Sequence, residues 1–221
     1  MAYELHRDPR SSHQRIARHV RSLGVDPVLD VGASSGQLGR LLHGSGLVLD
    51  AIEPDPASAA EAAPFYRAVQ VATVEDATLP AATYRAVVCA DVLEHLQDPE
   101  AQLRRLVESS TSEATFIISL PNVAHLAARM LLLVGKFPRH QRGTFDRTHL
   151  HFYTLDTVRD LVGAAGLVVS SVETTPVPLE EIWSPRWPAA AREALMRSQV
   201  AVGRLAPRLF GFQWLVIARR R

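Results

Sequence analysis

VLDVGASSGQLG, residues 28–39, decides how the rest of the chain is read. An apolar run broken only by Asp30 leads into glycines at 32, 36 and 39. A short buried strand that enters a tight turn and then a helix is written this way. In an open α/β sheet, ligands bind at the carboxyl ends of the strands, so this turn stands where a ligand would sit.

Working outward, apolar runs alternate with helical patterns. Residues 11–23 read as a helix, with Ser11 or Ser12 as N-cap and Gly24 as stop. After the strand at 28–31, strands are expected within 46–55, 68–72, 84–90, 114–120, 167–174 and 212–218. Helices are expected over 36–43, 56–63, 98–109, 123–134, from Thr154 as cap to Gly166 as stop, and near 189–203. Residues 136–149 read as a loop. This alternation predicts an α/β fold: a doubly wound, mostly parallel seven-stranded sheet with helices on both faces. One of the last two strands is expected to run antiparallel at the edge.

The chain has 221 residues, 47% of them apolar and 21% charged, which suits one domain with one sizeable core. A helical segment over 1–24 and acceptor-side segments over 122–151 and 176–205 are expected to cap it. A formal net charge of +1 gives no case for a nucleic-acid partner. The single cysteine, Cys89, has no partner for an internal disulfide and suits a reducing compartment. The polar N-terminus does not read as a signal peptide, and the apolar stretches 126–135 and 209–218 are too short to span a bilayer. A cytoplasmic protein without a membrane span is expected, and a homodimer is left open.

Three ligands compete for the turn. A phosphate-cradling P-loop needs a Lys-Ser/Thr pair after its last glycine, and the turn has no lysine. A dinucleotide fingerprint spaces its glycines two and three apart. Here the spacing is four and three, and Ser34 takes the place of the glycine that lets backbone approach a pyrophosphate. The third reading is a ligand without a phosphate, such as S-adenosylmethionine, with Asp30 balancing its ammonium. Glu53 follows about 20 residues on, where an acid accepts from ribose hydroxyls. Asp76, after the third strand, is placed to accept from an adenine amino group.

Together these segments resemble the class I S-adenosylmethionine-dependent methyltransferases. The resemblance rests on VLDVGASSGQLG, AIEPD (51–55), VEDATLP (74–80) and YRAVVCADVLEHLQDP (84–99), in that order. SLPNVAH (119–125) and GTFDRTHLHFYT (143–154) are similar to segments of the UbiG- and MetW-like small-molecule subgroup. The resemblance covers roughly residues 26–175. It implies that Asp30, Gly32, Ala33, Ser34 and Gly36 shape the methionine end of the cofactor. Glu53 and Pro54 would lie at its ribose, Glu75 and Asp76 at its adenine, and Asp91 and Val92 along its sulfonium side. Two departures stand out: Ala-Ser-Ser in the turn, where Cys-Gly-Thr or Cys-Gly-Ser is commoner, and ESSTSEATFI (108–117), without a Pro-Gly-Gly turn.

The implied activity is methyl transfer to a hydroxyl or amine of a small-molecule or glycan-type metabolite, oxygen before nitrogen. The alternatives are an RNA or protein methyltransferase, or a cofactor-binding partner protein without turnover. ADVLEH after the fourth strand is unlike the Asn-Pro-Pro-Tyr type of the adenine-N6 DNA enzymes. Imidazole titrates in the range a general base needs, so His149 is the first candidate base and His125 the second. His95, Asn122, Arg142, Asp146, Arg147 and His151 are expected at the acceptor. Alternation in THLHFY would put His149, His151 and Tyr153 on one face and Leu150 and Phe152 on the core face. His6, His13, His19 and His43 read as surface residues. A metal site from His149 and His151 with His125 or Asp146 lacks any fixed spacing, so none is expected. The loop 136–149 sets Lys136, Arg139, Arg142 and Arg147 against Asp146. It reads as a lid that draws in an anionic acceptor, since arginine suits carboxylate and phosphate.

Overall fold

A computed structural model describes residues 8–178 and 187–221. His6, and the parts of the expected capping segments at 1–7 and 179–186, lie outside the described residues.

Seven strands form one sheet: β1 (Val28–Val31), β2 (Leu49–Ile52), β3 (Ala68–Gln70), β4 (Tyr84–Ala90), β5 (Ser110–Pro121), β6 (Leu167–Thr175) and β7 (Gln213–Arg220). Their order is β3-β2-β1-β4-β5-β7-β6. The first five pair in parallel, and β7 runs antiparallel to both neighbours. All four residues of β1 and of β2 are buried, as central parallel strands require when both faces are covered.

Helices α1 (Ser12–Leu23), α2 (Gln37–Leu42), α3 (Pro56–Ala62), α4 (Pro99–Ser109), α5 (Leu126–Leu133), α6 (Leu155–Ala164), α7 (Ala189–Leu205) and α8 (Pro207–Phe210) complete the order. On one face of the sheet, Ile16, Ala17 and Val20 of α1 pack with Leu38 and Leu42 of α2 against Val28, Val88 and Ile117. The first three recur at helical spacing, so α1 docks by a single stripe. On the other face, Leu103 and Leu106 of α4 and Val158 and Val162 of α6 pack against Leu29, Val87, Phe116 and Trp214. Thr154 caps α6 through a reciprocal pair with Thr157. Helix α5 packs less: Met130, Leu132 and Leu133 are exposed. Among the described residues no helix is long and apolar enough to cross a membrane.

Strand order reverses between β1 and β4, where neighbours leave in opposite directions. That switch point opens a crevice at the carboxyl ends of these strands, and Asp30 and Asp91 stand on either side of it.

Candidate functional site

The turn after β1 is pinned from below. The amides of Gly32 and Ala33 donate to the Ile52 carbonyl at 2.8 and 3.1 Å, tying the turn to β2. Gly32 has φ +71°, and a Cβ there would lie 2.6 Å from Val92 Cγ2. Gly36 has φ +85°, and its Cβ would lie 2.9 Å from the Ala62 Cα, a backbone atom that cannot yield. Both positions need glycine for conformation and for closeness. Ser34 takes the left-handed region at φ +48°. Its amide donates to Glu53 Oε2 at 2.7 Å, and the Asp55 amide donates to Oε1 at 2.9 Å. Two main-chain donors thus fix the Glu53 carboxylate, and its remaining lone pairs are free to accept.

Asp30 is buried at the end of β1. Its Oδ2 accepts from the Tyr66 hydroxyl at 2.5 Å, and that hydroxyl accepts from the Gly39 amide at 2.9 Å. Burial pushes the Asp30 carboxyl up to about 7, against the lowering effect of Tyr66 and with a further push from Glu53. Across the crevice, Asp91 has φ +56°. Its Oδ1 accepts from the Ser119 hydroxyl at 2.8 Å and its Oδ2 from the Gln213 amide at 2.9 Å.

These groups open onto a cavity of about 700 Å³. One wall is the Asp30 turn with Gln37 and Leu38, and the floor is Ala90, Asp91 and Gln213. The far wall is Glu94, His95, Asp146 and His149, with Arg142 at the loop above. The start of α1, Ser11 to His13, and the segment 176–178 close the remaining sides. Glu94 is 0% exposed, and among the described residues neither carboxylate oxygen has a hydrogen-bond donor. Burial, then the nearby Asp91 carboxylate, raises its carboxyl well above the usual range. His149 is 6% exposed, with Nδ1 facing the Thr144 carbonyl at 3.3 Å and Nε2 3.9 Å from Glu94 Oε1. Burial, then His95, lowers its pKa below the ordinary imidazole value.

A family model described as a methyltransferase domain matches residues 1–172. The chain belongs to that methyltransferase family. It is a class I S-adenosylmethionine-dependent methyltransferase, and its cofactor is S-adenosylmethionine. Solved structures show the same fold. An S-adenosylmethionine-dependent methyltransferase from Archaeoglobus fulgidus is 17% identical over 96% of each chain, with a TM-score of 0.64. One from Mesorhizobium loti is 15% identical over 95% of this chain and 98% of that one, with a TM-score of 0.63. Magnesium protoporphyrin IX methyltransferase from Synechocystis, with S-adenosylhomocysteine bound, is 15% identical over 96% of this chain and 83% of that one, with a TM-score of 0.61. No curated protein sequence matches the chain.

In this methyltransferase the structure brings some of the expected site residues together and separates others. Asp30, Gly32, Ala33, Ser34 and Asp91 line the cavity, as do His95, Arg142, Asp146 and His149. Glu53 stands beside it, held by the turn. Glu75 and Asp76 are exposed after β3, and the Asp76 carboxylate accepts from the Thr73 hydroxyl at 2.8 Å. Several acceptor-side residues do not reach the cavity. Asn122 is buried, and its amide nitrogen donates to the Gly211 carbonyl at 2.8 Å while its oxygen accepts from the Ala124 amide at 3.0 Å. It braces β5 against α8. His125 caps α5, its Nδ1 accepting from the Ala127 amide at 3.2 Å. That bond uses the nitrogen a base would need on that side. Arg147 is exposed and offers its carbonyl to the Arg139 guanidinium. His151 turns its Nε2 to the Gln97 carbonyl at 3.4 Å.

The alternation in THLHFY is inverted. Leu150 is 55% exposed, whereas His149 and Tyr153 are buried. The amides of Leu150 and His151 donate to the Glu94 carbonyl at 2.8 and 3.1 Å, which turns His149 inward. The histidine set weighed for a metal is dispersed, because His125 and His151 face elsewhere. Asp146 holds the His149 turn instead: burial would raise its carboxyl, but the hydroxyl and amide of Thr148, at 2.6 and 2.8 Å, bring it below the usual range. Sequence reasoning missed Glu94, Tyr66 and His13, the last of which lines the cavity and does not stand on a remote surface. Only the position of Glu94 after β4, beside Asp91, hinted at a place near the crevice.

Proposed function

We propose that this methyltransferase acts on a hydroxyl, or second an amine, of a small anionic or glycan-type metabolite, as in the UbiG- and MetW-like subgroup. The observation that carries the reading is the cavity itself. It joins the cofactor turn to polar sides that carry two buried oxygen groups without a hydrogen-bond partner among the described residues, the Ser11 hydroxyl and the Glu94 carboxylate. Buried polar groups left without partners cost free energy, so these sides are built to meet polar atoms from outside.

When bound, the cofactor supplies a methyl group on a sulfonium, whose loss leaves a neutral thioether. The chain's own residues would do the rest. Glu53 would accept from the ribose hydroxyls, held in place by the amides of Ser34 and Asp55. Asp30 would face the ammonium, and Asp91 would define the sulfonium side. Asp76 would take the adenine amino group. His149 would activate the acceptor, while Arg142 would draw its negative charge to the mouth of the cavity. Orientation of this kind supplies about 7–11 kcal/mol in well-aligned reactions. Residues 136–149 would close over the acceptor as a lid.

The test is a metabolite extract incubated with the protein and methyl-labelled cofactor, then separated by anion exchange with mass detection. Label should appear in the anionic fraction on oxygen. Label confined to cationic or neutral products refutes the anionic acceptor. No labelled product, with the cofactor bound, refutes the transferase reading in favour of a partner protein without turnover.

A further inference from the structure

We propose that Tyr66 is a positioning residue for the cofactor: its hydroxyl holds the Asp30 carboxylate, ionised, where the ammonium arrives. The role rests on the reading that Asp30 faces the ammonium; the geometry behind it does not.

Tyr66 lies in the connection between α3 and β3, 36 residues on from Asp30. Its backbone is fixed on both sides. Its amide donates to the Ala63 carbonyl at 3.4 Å, and the Arg67 amide donates to the Leu49 carbonyl at 2.7 Å. The side chain packs against the cluster that contains Leu38 and Leu42. The hydroxyl then stands between two partners, donating to Asp30 Oδ2 at 2.5 Å and accepting from the Gly39 amide at 2.9 Å. An amide only donates. The Gly39 N–H therefore occupies a lone pair of the hydroxyl and leaves its hydrogen for Asp30. Gly39 lies in the first turn of α2, where amides have no helical carbonyl behind them. One hydroxyl thus serves that amide and the carboxylate together.

Gly39 shows that the arrangement is built. A Cβ there would lie 2.6 Å from Tyr66 Cε2 and 2.8 Å from both Tyr66 Cζ and Phe65 Cβ. Gly32 and Gly36 carry the left-handed backbone of the turn, whereas Gly39 is helical. It is small because the Tyr66 ring occupies the space a side chain would take. The third glycine of residues 28–39 therefore serves Tyr66 and, through it, Asp30.

The other charges near Asp30 do not do this work. Glu53, at the end of β2, opposes ionisation of Asp30, as burial does. Cys89 of β4 is buried, and burial and then Asp30 push its thiol up, so it stays protonated. Asp91 and Glu94 after β4, His13 of α1 and Arg142 of the loop above share the cavity. The Tyr66 bond is what lowers the Asp30 carboxyl. A donor to the ionised form favours that form, and an ion pair with an ammonium requires it.

The experiment measures S-adenosylhomocysteine affinity by calorimetry at half-unit steps from pH 5.5 to 8.5, over which the ligand's ammonium stays charged. In wild type, affinity should fall as pH drops below about 7, approaching about 10-fold per unit, as Asp30 takes up its proton. Tyr66→Phe keeps the ring and removes the donor. Its profile should move up by about one pH unit, leaving it about 10-fold weaker than wild type at pH 6, with the gap narrowing toward pH 8.5. Gly39→Ala keeps the hydroxyl but forces the ring away, and by this second route should move the profile in the same direction. Circular dichroism checks that each variant is folded. An unmoved midpoint in Tyr66→Phe, whether its affinity equals wild type or is weaker by the same factor at every pH, overturns the role, because lost packing alone does not depend on the charge of Asp30. A flat wild-type profile, with affinity unchanged in Asp30→Asn, refutes the ammonium reading itself and the role of Tyr66 with it.

Discussion

Replacing Asp30 by asparagine isolates the cost of holding a carboxylate at the end of β1. Burial in the folded protein pushes this carboxyl up to about 7 from an ordinary value of 3.8. Between those values the folded chain holds a proton that the unfolded chain has released, so stability falls as pH rises. The contribution is fully present below about pH 4 and is lost as pH passes through 7. Three units at about 1.36 kcal/mol each give a total of about 4 kcal/mol, of which about 3 kcal/mol lies between pH 5 and pH 8. Asparagine has no such term. Urea unfolding of both proteins at half-unit steps from pH 5 to 8 should show wild type losing about 3 kcal/mol relative to Asp30→Asn. Parallel profiles, within about 0.5 kcal/mol across that range, would refute the buried-carboxyl account. The proposed ammonium partner adds a second reading of the same group. Cofactor binding at pH 6 should release a proton, seen as a binding heat that changes with the ionisation enthalpy of the buffer.

His149→Ala and His149→Gln should each lower turnover by about 100-fold or more with cofactor affinity unchanged, and near wild-type turnover from pH 6 to 9 would remove His149 from the chemistry. For residues 136–149, hydrogen exchange should slow in two steps, little with cofactor and strongly once acceptor is added. Uniform protection in every state would count against a lid.

The sheet was legible because its central strands are continuous apolar runs, and the ligand-bearing turn because its glycines have unusual spacing. What tertiary contacts decide was not legible. Strand β5 starts at Ser110, where the reading began at 114, since its polar beginning pairs through the main chain with Tyr84 across an irregular register. Helix α5 starts at Leu126, later than the expected 123, because Asn122 and His125 spend their side chains on the turn before it. The inward face of THLHFY was inverted for a similar reason: a carbonyl more than 50 residues earlier fixes it, and no local period records that bond. Glu94 looks like any acid in a surface turn until the fold removes water from it. Tyr66 likewise carries no local sign that its hydroxyl will meet Asp30.

The most direct test of the account is calorimetric titration of the protein with S-adenosylmethionine, S-adenosylhomocysteine and NAD, repeated on Glu53→Ala. The turn at 28–39 and Glu53 are read together as a site for a ligand without a pyrophosphate. Micromolar binding of the first two compounds and none of NAD is expected, with Glu53→Ala losing about 1.5–3 kcal/mol, the worth of hydrogen bonds to a charged group. Micromolar binding of NAD with none of S-adenosylmethionine would contradict the account, and an unchanged affinity in Glu53→Ala would remove Glu53 from the site.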